Sequence, residues 1–300
     1  MNLLITGAWQ QAKEYMEEIR QQGHSVAFLQ YEKDMLPCDY DWVEGVIGNG
    51  LFLHHPIEKF KHLKYIQLTS AGFDRVPMEY VKEHNLAIYN ARGVYSIPMA
   101  EFVMGGVLQL YKQAKFFHKN QMSCRWEKHR GLAELFGKTV CIVGCGSVGT
   151  ECAKRFGAFG CQVIGVDKYV RENENYECIV GLEELEDVLP KAEVLVLTLP
   201  LTEETRHLMN ARTFALVKKG AILANIARGA VVDEKALVKA LEEGKLGGAV
   251  LDVFEEEPIG EENPLWGMEE VILTPHNSFV GDGNAGRLAS VIMGNLVRIS

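Results

Sequence analysis

Residues 139–167, TVCIVGCGSVGTECAKRFGAFGCQVIGVD, constrain this chain more than any other stretch. Val140, Cys141, Ile142 and Val143 form a short apolar run that reads as a buried strand. Gly144, Gly146 and Gly149 follow in G-x-G-x-x-G spacing, with Ser147 and Val148 between the last two. Cys152, Ala153, Phe156 and Phe159 then recur at helical intervals, and 162–166 reads as a second strand that ends at Asp167. The glycine spacing alone is a weak signal. A strand before it, a helix after it and an acid closing the second strand make it a dinucleotide-binding unit.

Each residue type has a physical reason. Gly144 allows the tight turn, Gly146 lets the backbone approach a pyrophosphate, and Gly149 lets helix and strand pack closely. The helix N-terminus presents N–H groups and the positive end of its dipole to the phosphates. Asp167 follows at close to the expected spacing of about 20 residues for an acid that binds the ribose hydroxyls. Its charge repels a 2′-phosphate, so NAD is favoured over NADP, while Lys168 and Arg171 are nearby cations that act the other way.

At 300 residues the chain has room for two domains. A net charge of −9 argues against a nucleic-acid surface. The seven cysteines are scattered, with no C-x-x-C pair, and read as reduced thiols of a cytoplasmic protein. The nine histidines show no H-x-x-x-H spacing, so no metal site is expected. The apolar start at Leu3–Ile5 is too short for a signal peptide, and no apolar run approaches the roughly 20 residues that span a bilayer.

Outside the fingerprint, short apolar runs alternate with helical patterns, which implies parallel α/β sheets. Before residue 96 the expected strands are 2–6, 26–29, 41–47, 65–69 and 86–89, with helices at 11–22, 56–62 and 77–84. Ser70-Ala71-Gly72 makes a turn at a strand's carboxyl end, where ligands sit in open parallel sheets. A long helix is expected from Ser96 to about Lys119. Its Met104, Gly105, Gly106, Leu108 and Leu110 either bury within the chain or pack against a second copy. After the fingerprint, strands are expected at 194–199, 221–226, 248–253 and 271–274. The helices there are 181–189, 210–217, 234–243 and a terminal one over 283–300.

Three ionisable residues stand at the ends of late strands: Arg228, Glu257 and His276. Hydride transfer to a 2-oxo acid needs a cation for the carboxylate, an acid for the carbonyl oxygen, and a partner for that acid. A guanidinium fork matches a carboxylate. A histidine exchanges protons near neutral pH. A carboxylate beside an imidazole favours its protonated form. Taken singly, each of the three could equally be a salt-bridge partner, a solvated surface acid or a loop histidine.

The segments NIARGAVVDE (225–234), GAVLDVFEEEP (248–258) and LTPH (273–276) together resemble the D-isomer-specific 2-hydroxyacid dehydrogenase family. The fingerprint, the Leu199-Pro200-Leu201-Thr202 segment and Asn210 also match, densely from about residue 98 to 276 and weakly before residue 70. The resemblance implies that Arg228 binds and polarises the substrate, His276 is the acid–base residue, and Glu257 is its partner. It implies a cofactor site of Gly144, Gly146, Ser147, Val148, Gly149, Asp167, Leu199, Pro200, Thr205, Ala227 and Asp252, with Asp252 at the nicotinamide amide. Ser70, Ala71 and Gly72, with Arg228, would hold the substrate carboxylate.

The resemblance also implies the fold class: α/β, two Rossmann-like or flavodoxin-like parallel-sheet domains, with the NAD domain (97–277) inserted into a substrate domain (1–96 plus 278–300). The expected protein is a cytoplasmic homodimer that acts on a small 2-oxo or 2-hydroxy acid. The alternatives are an NADP-linked glyoxylate or hydroxypyruvate reductase, or an NAD-sensing binding protein without turnover. Two departures stand out: Asn277-Ser278-Phe279 is bulkier than the family's usual loop, and Arg92 stands where proline is common. Formate dehydrogenases resemble the family but carry glutamine at the Glu257 position, so the glutamate argues for an oxo-acid reductase.

Overall fold

A computed structural model describes residues 1–299. Ser300, which the expected terminal helix and substrate domain include, lies outside the described residues. The chain divides into two compact units, one of residues 1–95 with the chain from 281 onward, the other of residues 96–280.

Unit one holds β1 (Asn2–Thr6), α1 (Ala12–Gln21), β2 (Ser25–Leu29), β3 (Gly45–Gly48), β4 (Tyr65–Leu68), α2 (Met78–Glu83) and β5 (Ala87–Tyr89). The strands pair in parallel in the order β2-β1-β3-β4-β5. β3 and β4 are buried at every residue, as parallel strands covered on both faces require. The C-terminal helix, Asn284–Ile299, belongs to this unit and packs Leu288, Ala289, Ile292 and Leu296 with Leu3, Ile5 and Ile47. Two expected elements shrink. Residues 41–47 keep only β3, preceded by a short 3₁₀ turn at Tyr40–Trp42, and the helix expected at 56–62 is a single 3₁₀ turn at Ile57–Lys59.

Unit two opens with α3 (Ser96–Tyr111) and α4 (Ala114–Met122). One continuous helix was expected here; Gln113 breaks it by taking a left-handed φ of 52°. Within α3, Met104, Gly106, Val107 and Leu110 are buried inside the chain. A Cβ on Gly106 would lie 2.5 Å from Val250, so the small residue serves close packing there.

The remaining elements are β6 (Thr139–Val143), α5 (Ser147–Ala158), β7 (Gln162–Val166), β8 (Cys178–Val180), α6 (Leu185–Val188), β9 (Val194–Leu197), α7 (Ala211–Leu216), β10 (Ala221–Asn225), α8 (Glu234–Glu242), β11 (Leu246–Leu251) and β12 (Val271–Leu273). Seven parallel strands run in the order β12-β11-β10-β9-β6-β7-β8. The order reverses between β6 and β9, and that switch point is where a crevice opens at the carboxyl ends of the strands. β8 was not expected, because three residues at a sheet edge show no period.

Helix starts follow local chemistry. Asn210 caps α7 by accepting from Arg212 N (3.0 Å) and Thr213 N (3.3 Å), while Thr213 Oγ1 receives Asn210 N (2.8 Å). Asp233 caps α8 through Ala236 N at 3.1 Å.

Candidate active site

The fingerprint turn links β6 to α5. Gly144 takes a φ of 98°, and a Cβ there would sit 2.7 Å from Leu199 N. A Cβ on Gly149 would meet the Gly144 carbonyl oxygen at 2.1 Å. At Gly146 a Cβ would meet nothing within 4 Å, so there the backbone faces open space. Gly146 is the N-cap of α5 and supplies no side-chain cap, and Ser147 and Val148 begin the helix with their N–H groups at its positive end. Thr198 Oγ1 donates to the Gly144 carbonyl at 2.6 Å and fixes the turn from the neighbouring strand.

Asp167 lies just past β7. Its Oδ2 accepts from Cys145 N (2.6 Å) and its Oδ1 from Tyr169 N (2.9 Å). Two backbone donors thus orient the carboxylate over the glycine turn, and each oxygen keeps a second lone pair for a hydroxyl donor. Lys168 is paired with Glu204 at 2.9 Å. Arg171 instead donates to the Cys145 carbonyl at 2.5 Å, beside the same turn. Burial pushes the Cys145 thiol up to about 12 and the Cys152 thiol likewise, so both are unreactive filler behind the turn. An open glycine turn, an uncapped helix start and an oriented acid together fit the pyrophosphate and ribose of a dinucleotide.

Leu199 and Ala227 are buried; Pro200 is exposed. Thr205 is buried too, and its hydroxyl donates to the Pro200 carbonyl at 2.7 Å and accepts from Thr202 N at 2.7 Å. It therefore shapes the turn that presents Pro200.

Arg228, Glu257 and His276 follow β10, β11 and β12, three neighbouring strands of one sheet. Asn225, fully buried at the end of β10, accepts from Ala227 N (3.1 Å) and donates to the Arg228 carbonyl (3.2 Å). That turn sets Arg228 on the exposed rim, with Nη1 donating to the Ala227 carbonyl at 2.7 Å. Glu257 Oε2 meets His276 Nδ1 at 2.9 Å, and its Oε1 accepts from Phe254 N at 3.0 Å. His276 has a left-handed φ of 51°, a conformation uncommon for a non-glycine residue and concentrated at functional sites.

Asp252, expected beside the nicotinamide, is 1% exposed. Its Oδ1 accepts from Thr274 Oγ1 (2.5 Å) and Asn277 N (2.7 Å), and its Oδ2 from Ser278 N (2.9 Å). His276 N also donates to its carbonyl at 2.8 Å. Hydrogen bonds to an ionised group contribute about 1.5–3 kcal/mol each, which offsets the burial of the carboxylate. Asp252 thus holds the 274–278 segment, and with it His276. It also accounts for Asn277 and Ser278, whose backbone donors serve this clamp, while the Phe279 ring stands edge-on to His276 at 6.4 Å.

In unit one, Ser70-Ala71-Gly72 follows β4. Asn90 Nδ2 donates to the Ala71 carbonyl at 2.6 Å and Arg92 N to Asn90 Oδ1 at 3.2 Å, so the segment after β5 anchors this loop. Ser70 Oγ closes it by donating to the Gly72 carbonyl at 3.1 Å. Sequence reasoning missed Asn225, Thr198 and Asn90; each is a common polar residue whose bonds reach other turns or strands, and no local pattern marks it.

Residues 104–278 match a family model described as the NAD-binding domain of D-isomer specific 2-hydroxyacid dehydrogenases. A D-3-phosphoglycerate dehydrogenase of Methanocaldococcus jannaschii is 39% identical over 73% of this chain, which spans 42% of that relative's length. A glyoxylate reductase of Pyrococcus horikoshii is 34% identical over 80% of the chain and 74% of its own. A solved D-isomer specific 2-hydroxyacid dehydrogenase from Xanthobacter autotrophicus, in complex with NADPH and MES, superposes with a TM-score of 0.80 at 29% identity, covering 99% of this chain and 94% of that one.

Proposed function

The chain belongs to the D-isomer-specific 2-hydroxyacid dehydrogenase family, and from that premise we propose an NAD-dependent reductase of a small 2-oxo acid in which His276 is the acid–base residue. The observation that carries this reading is the Glu257–His276 contact at 2.9 Å. When bound, NAD supplies the hydride chemistry. The chain's own residues do the rest. His276 hands a proton to the substrate's carbonyl oxygen, or takes it back in the reverse direction. Glu257 orients the ring through Nδ1, which leaves Nε2 to face the substrate, and balances the imidazolium charge. Arg228 binds the substrate carboxylate and polarises its carbonyl. In unit one, Ser70, Ala71 and Gly72 form a backbone turn of the kind that receives a carboxylate. Gly144, Gly146, Ser147, Val148 and Gly149 hold the pyrophosphate, Asp167 the ribose, and Leu199, Pro200, Thr205 and Ala227 line the rest. Asp252 serves the site by fixing the histidine segment.

A second reading, an NADP-linked reductase of glyoxylate or hydroxypyruvate, draws support from Arg171 beside the glycine turn. A binding protein without turnover is disfavoured by the intact Glu257–His276 pair. We further infer a homodimer in a reducing, cytoplasmic compartment. Trp126 is 97% exposed and Phe136 79% exposed along the irregular segment after α4, apolar surface that a second copy would cover. All seven cysteines are free, and no helix among the described residues is long and apolar enough to cross a membrane. A monomer mass at sedimentation equilibrium would overturn the dimer.

The test of the reaction is oxidation of NADH and NADPH against pyruvate, glyoxylate, hydroxypyruvate, 2-oxoisocaproate, phenylpyruvate and a phosphorylated oxo acid. It is repeated with His276→Asn, which tolerates the left-handed backbone. We expect kcat to fall by about 10²–10⁴ with NADH affinity held. Turnover that survives the substitution removes His276 from the chemistry.

A further inference from the structure

The loop after β11 carries Glu255, Glu256 and Glu257, and two of these carboxylates are paired with histidines from separate segments. Glu257 meets His276 Nδ1, and Glu255 Oε1 meets His207 Nε2. The two histidines share an uncommon trait: His207 has a φ of 48° and His276 of 51°. Both are held by structure around them in a conformation that few non-glycine residues adopt.

Glu255 is bound on its other side as well. Its Oε2 accepts from Glu234 N and its own N donates to Glu234 Oε2, each at 3.3 Å. Asn263 Nδ2 steadies Glu234 Oε1 at 2.6 Å. Behind this exchange, a Cβ on Gly229 would fall 1.9 Å from the Phe254 carbonyl. The loop that bears Arg228 and the loop that bears Glu257 are therefore in backbone contact at Gly229 and Phe254, and tied at Glu234 and Glu255. Glu234 and Glu255 bring two carboxylates together at the start of α8, beside the Asp233 cap. The donors that meet Glu255 there are the Glu234 N–H and the His207 ring. His207 is itself fixed, with its N donating to the Ala230 carbonyl at 2.8 Å.

We propose that His207 is a positioning residue of the active site: by donating to Glu255 it sets the 254–257 loop so that Glu257 meets His276. The proposal rests on the reading of Glu257 and His276 given above. Its reach follows from the chain itself, since Phe254, next to Glu255, donates the backbone N–H that orients Glu257 Oε1. His207 touches no reacting atom in this scheme, so its loss acts on geometry alone.

The test uses His207→Gly, which suits the left-handed backbone and removes the donor, and His207→Gln, which restores a donor. The spectroscopic readout is the hydrogen-bonded Nδ1 proton of His276, observed in the cofactor-free protein with ¹⁵N-labelled histidine. The kinetic readout is glyoxylate reduction with NADH. In His207→Gly we expect the His276 Nδ1 proton signal to broaden or move upfield and kcat to fall about tenfold. That is less than the about 10²-fold cost of a 1 Å misplacement. KM is expected to change less than twofold, with His207→Gln recovering most of the loss. If His207→Gly fails to fold, Glu255→Gln carries the same comparison. An unmoved His276 signal in a folded variant overturns the proposal. A wild-type protein that reduces no 2-oxo acid yet shows the signal change supports the positioning and overturns the functional reading alone.

Discussion

The sheets of the two units share a motif whose turns differ. A strand, a turn, a helix and a second parallel strand are β1, α1 and β2 in unit one and, after its two opening helices, β6, α5 and β7 in unit two. In unit two the turn is built of glycines, Gly146 faces open space, and Asp167 keeps lone pairs to offer. In unit one the corresponding turn is filled from within. A Cβ on Gly7 would lie 2.3 Å from the Gln30 carbonyl oxygen, and Trp9 is wholly buried. Glu32, which follows β2 as Asp167 follows β7, commits its oxygens to Thr6 Oγ1 (2.9 Å), Asn49 N (2.6 Å) and Gly50 N (2.7 Å). The shared topology decides where a ligand could sit; the side chains of the turn decide whether one does.

The comparison is most exposed at its glycines. Gly146→Ala has a backbone that any residue can adopt and no neighbour within 4 Å of its Cβ, so only a ligand opposes the side chain. NADH affinity is expected to fall about 100-fold, roughly 2.7 kcal/mol, with the thermal midpoint nearly unchanged. Fluorescence titration and calorimetry read the two numbers, and unaltered NADH binding would dissolve the contrast. Gly7→Ala inverts the pattern: about 2 kcal/mol of stability lost by overpacking, seen in urea unfolding, with NADH affinity untouched. A stable Gly7→Ala protein would mean that the unit-one turn is looser than its contacts state.

Smaller effects sharpen the same contrast. Asp167→Ala is expected to weaken NADH about tenfold and to improve NADPH relative to it, because Arg171 stays beside the turn. An unchanged ratio of the two affinities would detach Asp167 from the ribose. Away from both turns, Glu193 is held below its ordinary value of 4.5. Partial burial works against ionisation, but bonds from Lys218 and Thr139 N and the charges of Lys138 and Lys218 outweigh it. Its stabilising contribution is therefore present above about pH 4.5 and lost as the pH falls through the lowered value. Glu193→Gln is expected to cost about 1 kcal/mol at pH 7, with the difference from wild type closing in acid. A gap independent of pH would show that the carboxylate's charge is not what counts.

The same difference between the units explains what could be read in advance. The fingerprint is contiguous, each of its glycines answers to one local steric demand, and the flanking strands are apolar runs, so unit two's cofactor turn is legible residue by residue. Arg228, Glu257 and His276 are not. Each sits on its own strand end, each has a plain alternative role, and only the family resemblance joins them. His207 carries no signal at all, because what distinguishes it is a carboxylate 48 residues away. The clamp that Asp252 forms on the 274–278 segment was not legible either, since two of its three side-chain donors are backbone groups that a sequence does not display. The break at Gln113 was hidden for a similar reason: a left-handed residue other than glycine leaves no mark in composition.

One feature of unit one bears on the life of the chain before it is an enzyme. Leu288, Ala289, Ile292 and Leu296 complete the core that Leu3, Ile5 and Ile47 begin, and Asn295 bonds to Gln67 at 2.8 Å. On a ribosome the first strands emerge long before the helix that covers them, while all of residues 96–280 are made in between. The sheet of unit one must therefore wait with an apolar face uncovered until residues 284–299 have been made. During translation the amino-terminal segment, and not the contiguous residues 96–280, is the part whose core waits for a distant stretch of chain.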